Sequence, residues 1–409
     1  MNLRKSINHL PDLKMLIGCV CLFIFCFSSP LFSQDKFTIH LNLGVAYYHQ
    51  GKYERSEEEF KKAIQLNPES FEAHYNLSLV YLVQKKFSLA EEELLKCLNL
   101  NPDYPKIHFQ LGNIYFYQKL YPKAVAEYKK ELSRNPSHTP SLYNLAKVFQ
   151  IQRDFGEAEK ILRKLQSISP DFPGVYKDLG QVCYQQGKKS EACKFFQKAI
   201  EKNPTDTDPY LYLGKIYQEE KNYQKAEKVI LKALEINPDS FYVRLELGYL
   251  YLEIEKYSLA LIHLKKATQI NPDDPLAHYY LGYTFSQMGK LDEAIAQYSL
   301  ILNKKEKFED TFYRLGNLYY EKKDYKKALS FYLKEIEVNP RNTAALFNLA
   351  NVYFKKGKLD EAESVLKKLL EITPDDPLAH SLLGDIYMKK NMYDRAIEEY
   401  GKAEGGGKE

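Results

Sequence analysis

Prolines recur along this chain at a fixed interval of 34 residues: Pro68, Pro102, Pro136, Pro170, Pro204, Pro238 and Pro272, then Pro340 and Pro374. Glu306, inside Lys304-Lys305-Glu306-Lys307, occupies the slot between, and the phase beyond is unchanged, so a proline is lost there without insertion or deletion. A leucine track keeps step: Leu43, Leu77, Leu111, Leu145, Leu179, Leu213, Leu247, Leu281, Leu315, Leu349 and Leu383. The register defines eleven units from Phe37 to the C-terminus, starting at 37, 71, 105, 139, 173, 207, 241, 275, 309, 343 and 377. For a chain of 409 residues, ~150 residues per domain suggests two or three globular domains. The period overrides that count, because repeats bury their apolar faces on their neighbours and not in separate cores.

Within a unit the spacing is helical. Leu43 and Tyr47 lie four apart, as do Ser56 and Phe60, with Ala63 three further on. Two such stretches fill each unit. Between them Gly51, Gly187, Gly289 and Gly357 supply a residue suited to positive φ, a role that Lys or Asn takes less easily elsewhere. Asn-Pro, as in Asn67-Pro68, then stops the second helix, since proline lacks an N–H and pushes its predecessor out of the helical region. Asp or Ser soon after, as in Asp239-Ser240, can cap the next helix. The fold class expected is all-α.

These residues resemble the tetratricopeptide repeat, whose pattern is W-x2-L-G-x2-Y, then A-x3-F, then P, at a period of about 34. The second-helix alanine recurs as Ala90, Ala124, Ala158, Ala192, Ala226, Ala260, Ala294, Ala328, Ala362 and Ala396. After the leucine stands Gly44, Gly112, Gly180, Gly214, Gly248, Gly282, Gly316 or Gly384, with Ser78, Ala146 and Ala350 elsewhere. Tryptophan is absent; His40, His74, His108, Tyr176, Tyr210, Phe312 and others stand in its slot. The resemblance covers residues 37–409 and implies an α-solenoid superhelix of eleven helix-turn-helix repeats, whose inner wall is made mainly by the first helices.

Residues 1–36 differ from the rest. Arg4, Lys5 and Lys14 precede an uncharged run from Met15 to Phe27, followed by Ser28, Ser29 and Pro30. The run is short of the ~20 apolar residues that cross a bilayer, so it reads as a secretory signal peptide cleaved near Ser33. A retained membrane anchor is the second reading, and lipidation at Leu16-Ile17-Gly18-Cys19 the third. Export to the periplasm, envelope or medium is therefore expected. Without Arg4, Lys5, Lys14 and Asp12, the 58 positive and 54 negative side chains become 55 and 53, a near balance that argues against a nucleic-acid surface. Only Cys97, Cys183 and Cys193 lie in the body, too few for a disulfide framework; they read as small buried apolar residues, with a Cys183–Cys193 bridge as the alternative.

No phosphate loop, H-E-x-x-H helix, nucleophile elbow or paired C-x-x-C occurs, and the repeats leave no stretch for a catalytic domain. A non-enzyme without cofactor or metal is expected. His40, His74, His108, His278 and His380 share the tryptophan slot, but helices packed ~8–10 Å apart cannot share a zinc that needs ligands at ~2 Å, so they read as packing residues. Lysine recurs at Lys62, Lys96, Lys130, Lys164, Lys198, Lys232, Lys266, Lys334, Lys368 and Lys402, with Leu300 the exception. Glu58, Glu92 and Glu398, four residues earlier, suggest a solvated face held by helical ion pairs.

The resemblance also implies where partners bind. In the family, groove-facing positions lie two before, two after and five after the leucine, and some members hold extended peptides through asparagines. Here those positions, with the neighbouring slot, give Asn42, Asn76, Asn113, Asn144, Tyr279 and Tyr283, and a best-furnished stretch of Tyr313, Arg314, Asn317, Tyr320, Phe347, Asn348, Asn351 and Lys355. An amide donates and accepts, matching a peptide unit, while Arg314 and Lys355 suit a carboxylate. The expected function is an exported scaffold or adaptor binding protein or peptide partners, in cell-envelope assembly. Alternatives are a non-catalytic targeting subunit of an envelope enzyme, or an end-to-end oligomer through the C-terminal repeat around Ile397 and Tyr400. Membrane contact is expected only through the leader.

Overall fold

The computed structural model describes residues 36–304, 308 and 310–405. The proposed leader and its cysteines, Lys305-Glu306-Lys307 and the final four residues lie outside them. The described residues form 22 α-helices and no strand, paired so that each unit is one helical hairpin. None of these helices is long and apolar enough to cross a membrane. Helices cluster in two compact units, one ending at Lys202 and one beginning at Asn203. In each, a second helix packs on its own first helix and on the next, and several successive first helices touch directly.

Local chemistry sets the hairpin. Eight residues after each leucine the chain turns through positive φ, at Gly51, Gly187, Gly289 and Gly357, but also at Lys85, Lys119, Arg153, Lys221, Glu255, Lys323 and Asn391. Seven non-glycine residues thus accept a conformation that costs ~1–2 kcal/mol, because the packing of both helices dictates the turn. Helix starts depend on the residue before proline. Asp274 and Asp376 cap Pro275–Gln287 and Pro377–Lys389, each carboxylate accepting from two backbone N–H groups. Tyr104 and Phe172 cannot do so. There the helices begin later, at Ile107 and Val175, after Lys106 and Gly174 with φ of 78° and 81°.

The small slot after the leucine is tied to the side chain 17 residues beyond the leucine. A Cβ on Gly44, Gly112, Gly180, Gly316 or Gly384 would fall within 2.7 Å of the ring of Phe60, Tyr128, Phe196, Tyr332 or Tyr400. Ser78, Ala146 and Ala350 occur where that opposing residue is leucine, at Leu94, Leu162 and Leu366. Gly214 and Gly248 face Ile230 and Leu264 as tightly, at 2.5 and 2.4 Å, so the glycine marks close approach to a ring or a branched aliphatic side chain alike. Cys97 and Cys183 are free thiols, and burial pushes the Cys97 thiol up to about 12.

Candidate functional site

Two rows of side chains run through the repeats, and each has its own chemistry. The first joins the tryptophan slot, three before the leucine, to the residue 16 after it. His40 Nδ1 meets Glu59 at 2.6 Å, His108 meets Glu127 at 2.7 Å and His380 meets Glu399 at 2.6 Å, with His74 and Glu93 paired likewise. His74 and His380 also point Nε2 at the carbonyls of Pro68 and Pro374, at 2.9 and 2.7 Å, so the ring ties the unit to its own entry loop.

The recurring lysine completes this row. Lys62, Lys96, Lys130 and Lys402 reach Glu59, Glu93, Glu127 and Glu399 at 2.7, 3.0, 2.7 and 3.0 Å. All four thus reach the glutamate three residues earlier that is shared with histidine. Of the expected partners four residues earlier, Glu92 and Glu398 also pair, at 2.8 and 2.7 Å. In the eighth repeat the acid is Gln297, bonded to His278 at 2.8 Å, and the lysine is Leu300. Lysine is retained without that acid in other repeats, as at Lys334, which lies 5.7 Å from the Phe331 ring centroid. Phe312 stacks on Phe331 in the ninth repeat, so the pairing is complementary whatever its polarity.

The second row runs between first helices, from two after one leucine to one before the next. Asn144 donates to Asn113 at 2.8 Å and Asn348 to Asn317 at 2.9 Å. Lys147 pairs with buried Asp178 at 2.5 Å, and the Tyr249 and Tyr280 rings lie 5.2 Å apart. Glu246 has its carboxyl raised by burial, an effect partly countered by Lys215 in the same relation. Two of these seams gain a third member, as Tyr128 and Tyr332 donate to Asn113 and Asn317 at 2.8 and 2.7 Å.

Of the residues expected to hold a peptide, most of the asparagines are therefore already engaged by their neighbours. Asn113, Asn144, Asn317 and Asn348 belong to the seams, and Asn351 donates to the Phe347 carbonyl of its own helix at 3.3 Å. Asn76 is half-buried, and Asn42 and Lys355 are exposed. Tyr313 lies with its ring 6.3 Å from Tyr332, and Tyr320 lies 5.5 Å from Tyr325.

Between repeats eight and nine the seam changes character. Tyr283 replaces the acceptor asparagine and Arg314 the donor, with the guanidinium 5.1 Å from the Tyr283 ring centroid and 6.0 Å from that of Tyr279. Asp310 holds Arg314 Nε at 3.0 Å and accepts the Tyr279 hydroxyl at 2.5 Å. Tyr298, equivalent to Tyr128 and Tyr332, keeps its hydroxyl fully buried but has no hydrogen-bond partner among the described residues. Burial pushes that hydroxyl far up, so it stays a neutral donor. Arg314 is 34% exposed and remains cationic under the pull of Asp310. Tyr298 and Asp310 are the members that single-position reading missed. The signal was present, since the tyrosine 17 after the leucine accompanies an amide or carboxylate two after it in repeats three, nine and eleven but not eight.

One further cluster brings a thiol and two carboxylates together: Glu159, Cys183 and Glu191 lie with ligand atoms within 4.8 Å. Cations already hold these carboxylates. Arg163 bridges Glu159 and Glu191 at 2.7 and 2.5 Å, and Lys188 reaches Glu159 at 2.7 Å. Burial pushes the Cys183 thiol up to about 12, far from the thiolate a metal requires. The cluster is an inter-repeat ion-pair network.

Family models described as tetratricopeptide repeat match residues 184–246 and 319–386, 109–173 and 143–207, and 71–104 and 379–405, and one described as TPR repeat matches 44–85 and 248–289. No curated protein matches. Among solved structures, YrrB, described as a TPR protein with an unusual peptide-binding site, is 25% identical over 45% of this chain and 95% of its own, with a TM-score of 0.40. MamA is 22% identical over 39% and 94%, with a TM-score of 0.38. A human IFIT1 dimer with m7Gppp-AAAA is 20% identical over 93% and 92%, with a TM-score of 0.43.

Proposed function

This chain belongs to the tetratricopeptide-repeat family, and from that premise we propose that it is a non-catalytic scaffold that holds a polypeptide along its first-helix wall. Its anchor is the cluster of Tyr279, Tyr283, Tyr298, Asp310 and Arg314. One observation carries the reading: the guanidinium of Arg314, about one-third exposed, lies over tyrosine beside a buried hydroxyl that has no partner among the described residues. A peptide carboxylate would take the open side of Arg314, whose planar fork suits two parallel hydrogen bonds. The neighbouring aromatic rings would supply apolar contact. The amide seam that follows, Asn348 on Asn317, joins first helices and does not itself grip the ligand.

The leader supports export, and with it a role among envelope proteins. Crosslinked pull-down from fractionated cells, with wild-type protein and Arg314→Gln, tests both parts. Envelope proteins captured by the wild type and lost from the variant are expected. The same captured set from both would overturn the anchor, and a cytoplasmic pool with intact Met1 would overturn the export.

A further inference from the structure

The Tyr–Asn–Asn seams have a counterpart that is two-thirds complete. In the eleventh repeat Tyr400 donates to Asp385 Oδ1 at 2.7 Å, as Tyr128 does to Asn113 and Tyr332 to Asn317. Asn113 and Asn317 each receive a second hydrogen bond from the asparagine before the leucine of the next repeat. Asp385 is exposed, and no described residue makes that second bond to it. The missing member has a place in the sequence: Asn42 stands directly before Leu43 in the first repeat, and it too is exposed.

Apolar surface follows the same logic. Leu43 is 39% exposed, whereas the ten equivalent leucines are no more than 3% exposed. At the other end Ile397 is 69% exposed and Tyr393 56%, while Val125, Leu261, Ile295 and Leu329 in the Ile397 slot are partly buried. Each face is therefore one half of the junction that joins repeats inside either unit.

We propose that the face of repeat eleven around Asp385, Tyr393 and Ile397 receives the first repeat of a second copy of this chain, with Asn42 donating to Asp385 and Leu43 closing the junction. The contact is heterologous, so copies add head to tail. It uses no residue of the Arg314 anchor, and the two readings stand or fall separately.

The test uses the full chain with Cys19, Cys21, Cys26 and Cys193 replaced by serine. Asn42→Cys and Asp385→Cys are placed in separate, differently sized tagged copies and joined by a short bis-maleimide. A crosslinked heterodimer from the mixture, with neither variant linking to itself, is expected. In parallel, Ile397→Glu should raise the concentration at which mass increases in sedimentation equilibrium by about tenfold or more, with helical content unchanged by circular dichroism. Self-linking of Asp385→Cys would indicate tail-to-tail pairing. Linking of Asp385→Cys to a lysine of residues 1–35 of its own chain by a maleimide–succinimide reagent would indicate an internal cover. Either result, or a single-chain mass at the highest soluble concentration, overturns the proposal.

Discussion

Asn348 donates through Nδ2 to Oδ1 of Asn317 at 2.9 Å, and the same oxygen accepts the hydroxyl of Tyr332 at 2.7 Å. One acceptor thus ties the two helices of its own repeat to the first helix of the next. Asn317→Ala leaves a buried hydroxyl and an amide without their acceptor, each worth ~1–3 kcal/mol, so a loss of ~2–4 kcal/mol is expected by urea denaturation. Tyr332→Phe and Asn348→Ala should each cost less, and their double mutant should fall short of the sum, since both act through Asn317. Additive losses would show that the seam carries no coupling.

Tyr298→Phe should behave in the opposite way. Its hydroxyl is buried with no partner among the described residues, so removing it relieves a desolvated polar group. Stability unchanged or raised by up to ~1 kcal/mol is expected, against a clear loss for the equivalent Tyr332→Phe. If the hydroxyl serves the ligand, the same variant captures less polypeptide in the pull-down. A destabilised Tyr298→Phe would reveal a partner for the hydroxyl and remove part of the case for the anchor.

Gly316→Ala places a Cβ 2.5 Å from Cε1 of the fully buried Tyr332 ring. Overpacking of this kind costs ~1–3 kcal/mol. At Gly401, in the helix Tyr393–Gly405, an added Cβ would meet nothing within 4 Å. Gly401→Ala should therefore stabilise that helix, by up to ~1 kcal/mol. Thermal melts of both variants check the pair.

Acid should loosen the chain in two separable windows. Burial raises the Glu363 carboxyl, but hydrogen bonds from Lys367, Lys390 and Tyr387 outweigh it and hold the group at about 2. Stabilisation by a depressed carboxylate is complete above its unfolded pKa near 4.5 and is lost as pH falls toward about 2. His263 is lowered by burial and by Arg244 to about 4. An unfolded imidazole binds a proton that the folded one refuses, so stability falls earlier, between about 6.5 and about 4. Denaturant midpoints for Glu363→Gln and His263→Gln across pH 3–7 should show each variant losing only its own window. A histidine resonance titrating near its ordinary value would contradict the second.

The helical hairpins and their period were legible because each depends on residues close in sequence. Pro68 stops one helix, Leu43 and Tyr47 share a face, and Gly51 turns the chain, all within one unit. The positive-φ turn at Glu255 was not legible, since only the packing of two finished helices forces a glutamate into it. The histidine slot reads as packing in the sequence, and in the structure four of its rings hydrogen-bond a glutamate. Its glutamate partner 19 residues away was missed, because that spacing belongs to neither a helix nor a turn.

The asparagines mark the boundary most clearly. Their residue type suits a peptide backbone equally well whether that backbone is a ligand or the seam is internal, and one-dimensional order does not distinguish the two. Repetition alone determined that this chain forms stacked helical pairs, because apolar stripes in constant phase can be buried in no other way. Which polar groups remain free to bind was decided only when successive first helices came side by side. Asn113 and Asn317 then turned to their neighbours, while Tyr298 beside Arg314 was left without a partner among the described residues.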